Sequence, residues 1–89
     1  MKHIIKNKGY SELYSHTKYE TSLLKTLYGV SITPKQAKTI ANSICQAADS
    51  WLDNKHEVTS LDIRVFTQEQ LAKYSPEAAI LYKKYGNIW

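Results

Sequence analysis

The sequence predicts an α+β protein that is mostly helical: a four-helix bundle covered by a small N-terminal β-hairpin. Three observations predict it. Apolar residues recur at helical spacing in four separate stretches, capping residues open those stretches, and one glycine turn near the N-terminus lies between β-branched and aromatic residues. At 89 residues the chain is one domain, 1–89, too short for two cores and long enough to fold without staples.

Ile4 and Ile5 are β-branched, Asn7-Lys8-Gly9 is a turn, and larger residues alternate over 10–14, which makes a short hairpin. Ser15 stands at an N-cap position. Tyr19, Leu23, Leu24, Leu27 and Tyr28 then share one helical face, and Gly29 closes a first helix over 16–28. The second helix opens on Thr33 with Pro34 at the first position and Gln36 at the third, a capping box. Its stripe is Ala37, Ile40, Ala41, Ile44, Ala48, Trp51 and Leu52, which makes it the central packing element.

"VTSLDIRVF" opens the third helix, with Thr59 or Ser60 as cap and Asp62 in the first turn, where a carboxylate suits the helix dipole. Ile63, Phe66, Leu71 and Tyr74 are expected to face the core. Ser75-Pro76-Glu77 starts the fourth helix, 78–85, and Gly86 closes it; a last strand at 87–89 would enlarge the sheet.

Composition narrows the function. With 43% hydrophobic and 22% charged residues the chain has the makeup of an ordinary folded protein, not of a disordered tail. One cysteine, Cys45, excludes an internal disulfide and suits a reducing, cytoplasmic setting. No apolar run approaches the roughly 18 residues of a membrane span, and Met1 with the residues after it lacks a signal-peptide core, so neither membrane nor export is expected. His3, His16 and His56 lie in three different segments and Cys45 in a core-type helix, without partner spacing for catalysis or zinc; an enzyme is not expected.

The net charge of +4 suits an anionic partner without requiring one. A strand ending in lysine, a glycine turn and a capped helix start together offer what a triphosphate needs: backbone N–H groups, a positive dipole end and ammonium donors. The other reading of these lysines is that they only block edge pairing of the hairpin.

The run "IKNKGYSELYSHTK" from Ile5 resembles the opening of the ATP-cone domain, whose usual form is hydrophobic-x-K-R-D-G, two residues, Glu, one residue, an aromatic or aliphatic, Asp or Asn, two residues, Lys. Lys6, Gly9, Glu12, Tyr14 and Lys18 match in register. "ITPKQAKTIANSI" is similar to the family's second helix, "EVTSLDIR" to its "VTS-x-[DE]-I" helix start, and "YSPEAAILYKKYG" to its closing helix. The likeness thus covers nearly the whole chain in order.

The resemblance implies a fold of four helices under a small mixed sheet, which can be three-stranded, and a regulatory module of the kind found in ribonucleotide reductases, in the bacterial repressor of their genes and fused to some kinases. It implies ATP or dATP as ligand, Mg2+ as its companion ion, no tightly bound metal, and a homo-oligomer or a ribonucleotide reductase subunit as partner. Carried over by position, Lys6 and Lys18 would bind phosphate and Glu12 would accept a hydrogen bond from the adenine amino group. Ser15 would cap the first helix and touch the base, Ser60 and Arg64 would lie near the phosphates, and Lys83 or Lys84 would add a final charge.

Two positions depart from the pattern: Asn7 stands where the family has Arg, and Lys8 where it has Asp. Lys8 compensates only if the turn redirects it, because a shift of one residue on a strand points to the opposite face. These departures motivate a second reading, an interaction or oligomerisation domain that has lost nucleotide binding. A third, a small nucleic-acid-binding protein, draws on the pI of about 9.2 and seven tyrosines; against it, most tyrosines are expected on helical core faces.

Overall fold

A computed structural model describes residues 3–5 and 11–85. Along the chain come β1 (His3–Ile5), β2 (Ser11–Leu13), α1 (His16–Tyr28), α2 (Pro34–Asp53), β3 (Val58–Thr59), α3 (Ser60–Tyr74) and α4 (Pro76–Tyr85). The expected class holds: four helices and a small mixed sheet at the N-terminal side, mostly helical. The expected turn at Asn7-Lys8-Gly9, the helix stop at Gly86 and the strand at 87–89 lie outside the described residues.

The sheet order is β2-β1-β3. β1 pairs antiparallel with β2, Ile4 opposite Glu12, and parallel with β3, Ile4 opposite Val58 and Ile5 opposite Thr59. The third strand therefore comes from the two residues just before α3, which the sequence reading assigned to the helix start. Residues opposite one another on paired strands share a face. Ile4 and Val58 are fully buried and Glu12 is half-buried on the face turned to the helices; His3, Ser11 and Leu13 are exposed on the other.

Local capping sets the helix starts. Ser15 Oγ accepts from Lys18 N at 3.2 Å. Thr33 with Gln36 and Thr59 with Asp62 form complete capping boxes, so Thr59 rather than Ser60 is the α3 cap. Ser75 ends α3 and caps α4 through Ala78 N. Gly29 closes α1 with φ −82°, so glycine is not needed there for a left-handed turn. Its bare Cα instead admits α4: a Cβ would lie 2.8 Å from Leu81 Cδ2.

The core runs from Ile4 and Val58 under the sheet through Tyr19, Leu23 and Leu27 of α1, Ala37 to Leu52 of α2, Ile63 and Leu71 of α3, and Ala78 and Tyr82 of α4. α1 packs on α2 and α3 on α4. Two expectations fail, both among the tyrosines. Tyr28 and Tyr74 are half exposed, at 50% and 49%, because each occupies the last residue of its helix, past the packed turns. Phe66 packs partly buried against the core, as expected, and stacks on Trp51 with centroids 4.5 Å apart. Among the described tyrosines Tyr19 and Tyr82 are fully buried and Tyr14 packs partly buried against the core, while Tyr28, Tyr74 and Tyr85 are exposed, so half rather than most lie on core faces.

Candidate functional site

The inner face of the sheet and the first turn of α1 bring together three of the residues singled out by sequence. Glu12 Oε1 lies 2.7 Å from Lys18 Nζ, and Ser15 holds the Lys18 backbone N–H. Ile5, opposite both Ser11 and Thr59, links this corner to the start of α3. There Ser60 is buried as the first residue of the helix, and Arg64 is half-buried one turn further along the same face. Lys6, Asn7 and Lys8 lie outside the described residues.

Lys84 is not brought to this corner. It lines a shallow groove with Gly29, Val30, Ile80 and Leu81 at the C-terminal end of α1, roughly 16 Å of helix from Lys18. Lys83 is exposed beside it.

Behind Arg64 the structure places polar groups that sequence reasoning missed. Ser60, Arg64 and Thr67 are spaced by four and three, so α3 turns a polar stripe inward while Leu61 and Val65 face solvent, 63% and 45% exposed. Thr67 Oγ1 donates to Ile63 O at 2.6 Å, which uses its one proton, so Tyr19 Oη donates to it across 2.6 Å. Tyr82 Oη is buried beside them, near enough to the Thr67 hydroxyl to feel its dipole but outside hydrogen-bond geometry to any described residue. Burial raises the Tyr19 hydroxyl far above the usual tyrosine range, its bond to Thr67 opposing. Burial likewise pushes Tyr82 up to about 12, with the Thr67 hydroxyl and the Arg64 charge pulling the other way. One signal in the sequence marks this stripe: the apolar residues of α3 fall out of phase with a single face.

A second cluster joins α1 to α2. His16 and Glu20 on α1 face Cys45 on α2, and one ligand-type atom from each lies within 4.8 Å of the others. His16 Nδ1 is 3.5 Å from Asp49 Oδ2, and Tyr14 Oη donates to Asp49 Oδ1 at 3.4 Å. His16 and Cys45 thus have the neighbours that spacing along the chain did not reveal. Burial first, then the Glu20 and Asp49 charges, push the Cys45 thiol up to about 12, so it is protonated at neutral pH and is no nucleophile in this state. Burial and Asp49 raise Tyr14 as well.

Between the end of α2 and α3 lies an open groove of about 450 Å³, lined by Trp51, Val58, Leu61, Val65 and Phe66 and rimmed by Lys55, Glu57, Asp62 and Glu69. Lys55 Nζ sits 5.6 Å from the Trp51 ring centroid, within cation–π reach. Among the described residues no helix is long and apolar enough to cross a membrane.

Comparison with known proteins adds no family to this geometry: no family model matches the chain, and no curated protein matches it either.

Proposed function

We propose that the chain is a non-catalytic regulatory domain that binds an adenine nucleotide, ATP or dATP with Mg2+, in the cytoplasm, and responds by changing its helix packing or its association with a partner. The observation that carries this reading is the polar set at the corner where the sheet meets the first turns of α1 and α3, with the Tyr82 hydroxyl of α4 behind it. It comprises Glu12 with Lys18 at one side, and Ser60, Arg64 and the unpartnered Tyr82 hydroxyl at the other. Lys18 is exposed and Glu12 and Arg64 are half-buried, open to a bound anion, and a ligand that hydrogen-bonds the buried Tyr82 hydroxyl would offset its desolvation.

The Glu12–Lys18 pair supports an exchange on binding. Both side chains are more than a third exposed or close to it, so the pair is worth about 0–1 kcal/mol and is easily broken. Lys18 turns to phosphate while Glu12 accepts the adenine amino group. Guanine presents an oxygen at that edge and leaves the carboxylate unpaired, which sets specificity. Regulation then follows from differential affinity: the nucleotide shifts the population only so far as it binds one packing or oligomer more tightly than the other. The partner in this reading is a second copy of the chain or a ribonucleotide reductase subunit, as the ATP-cone resemblance implies.

Calorimetric titration of the full chain with ATP, dATP and GTP tests this. Adenine nucleotides release heat and GTP does not, and Glu12→Ala and Lys18→Ala each weaken binding. Absence of heat and of any thermal shift with millimolar ATP or dATP would overturn the proposal. The exposed Leu61 and Val65 beside the Trp51–Phe66 groove favour one alternative, an interaction domain without nucleotide. Self-association in light scattering that ignores nucleotide would identify it.

A further inference from the structure

We propose that His16, Glu20 and Cys45 form a site for a thiophilic divalent metal ion of the Zn2+ class, with Asp49 bracing the imidazole. The site does not depend on the nucleotide reading. Its residues sit at four-residue spacing on two packed helices, His16 and Glu20 on α1 and Cys45 and Asp49 on α2, so each helix presents a pair on one face.

Geometry and charge both favour an ion. Three different ligand types lie within 4.8 Å of one another. Tetrahedral zinc needs ligand atoms roughly 3.3–3.7 Å apart, a contraction within reach of rotamer shifts in the exposed His16 and half-buried Glu20 while Cys45 stays fixed. Asp49 against His16 Nδ1 at 3.5 Å is the carboxylate partner that metal-bound imidazoles ordinarily have. Glu20 makes no hydrogen bond or ion pair with the described residues, and Asp49 meets no lysine or arginine among them. Two carboxylates therefore flank a buried sulfur, with an imidazole and the Tyr14 hydroxyl on Asp49 as the compensation among the described residues.

The donor set selects the metal. Mg2+ and Ca2+ prefer shells of six or more oxygens, whereas sulfur with imidazole and one carboxylate suits Zn2+ or Co2+. On binding, the Cys45 thiol releases its proton to solvent and a water fills the fourth position. The ion ties α1 to α2 at the turn that carries Ser15 and Lys18.

Titration of the untagged full chain with Co2+ reads the site directly. One equivalent gives a thiolate-to-cobalt charge-transfer band and the visible bands of tetrahedral cobalt, Zn2+ displaces it, and Zn2+ raises the unfolding temperature. Cys45→Ser abolishes the charge-transfer band. Because a buried position carries a folding risk, His16→Ala and Asp49→Asn at exposed positions give the second test, with affinity falling about tenfold or more. Cobalt binding without a sulfur band, or binding unchanged in His16→Ala and Glu20→Gln, would overturn the proposal.

Discussion

α2 and α3 pack against each other, yet their buried faces differ in kind. α2 buries Ala37, Ala41, Ile44, Cys45, Ala48 and Leu52, a nearly continuous apolar stripe. α3 buries Ser60 and Thr67 along with Ile63 and Leu71, and leaves Leu61 and Val65 in solvent. α2 is arranged chiefly for packing, its Cys45 and Asp49 turned toward α1. α3 gives up apolar burial to hold Ser60 and Thr67 inside, the compromise expected if the proposed site is built on it.

Truncation of the α2 stripe gives the largest expected effect. Ile44 is fully buried at the centre of the bundle. Ile44→Ala removes that side chain and leaves a cavity the neighbouring helices fill only in part, so stability falls by about 3 kcal/mol in chemical denaturation. A loss under about 1 kcal/mol would mean that α2 is not the main packing element, and the contrast with α3 would collapse.

The polar stripe gives a smaller, more specific effect. Thr67→Val keeps the shape but removes the acceptor of the Tyr19 hydroxyl. It is expected to cost about 1–2 kcal/mol, because a buried donor loses its partner. The double variant with Tyr19→Phe recovers part of that loss in a thermodynamic cycle, since both partners are then apolar. Additive losses would show that the two hydroxyls are not coupled.

The same contrast separates what was legible in the sequence from what was not. Ser15, Thr33 and Ser75 were readable because a cap bonds within three residues, Thr59 only as one of two candidates with Ser60, and the α2 stripe because its period is uninterrupted. β3 was not: two residues, Val58 and Thr59, become a strand only through parallel pairing with Ile4 and Ile5 across most of the chain. The His16–Cys45 neighbourhood and the Tyr19–Thr67 bond likewise depend on helix docking and leave no local mark. Glu12, Ser15 and Lys18 were placed together by motif spacing. Lys84 was placed by analogy with a closing helix, and docking of that helix puts it beside Gly29 instead.

Tyr82 offers the finest test of whether α3 and α4 trade stability for a site. Its hydroxyl is buried beside Thr67 with no hydrogen-bond partner among the described residues, so Tyr82→Phe removes a desolvated group and keeps the ring. A gain of about 1 kcal/mol is expected at neutral pH. The pH dependence carries a sign of its own. The folded-state value of about 12 lies above the ordinary 10, so the folded state holds this proton more tightly than the unfolded one. That contribution is full below pH 10 and lost as pH rises from 10 through 12, and Tyr82→Phe therefore makes the alkaline decline less steep. If the nucleotide reading is right, the same variant binds ATP more weakly while being more stable. A variant less stable than the parent would show that the hydroxyl already has its partner within the fold, and would remove Tyr82 from the proposed nucleotide site.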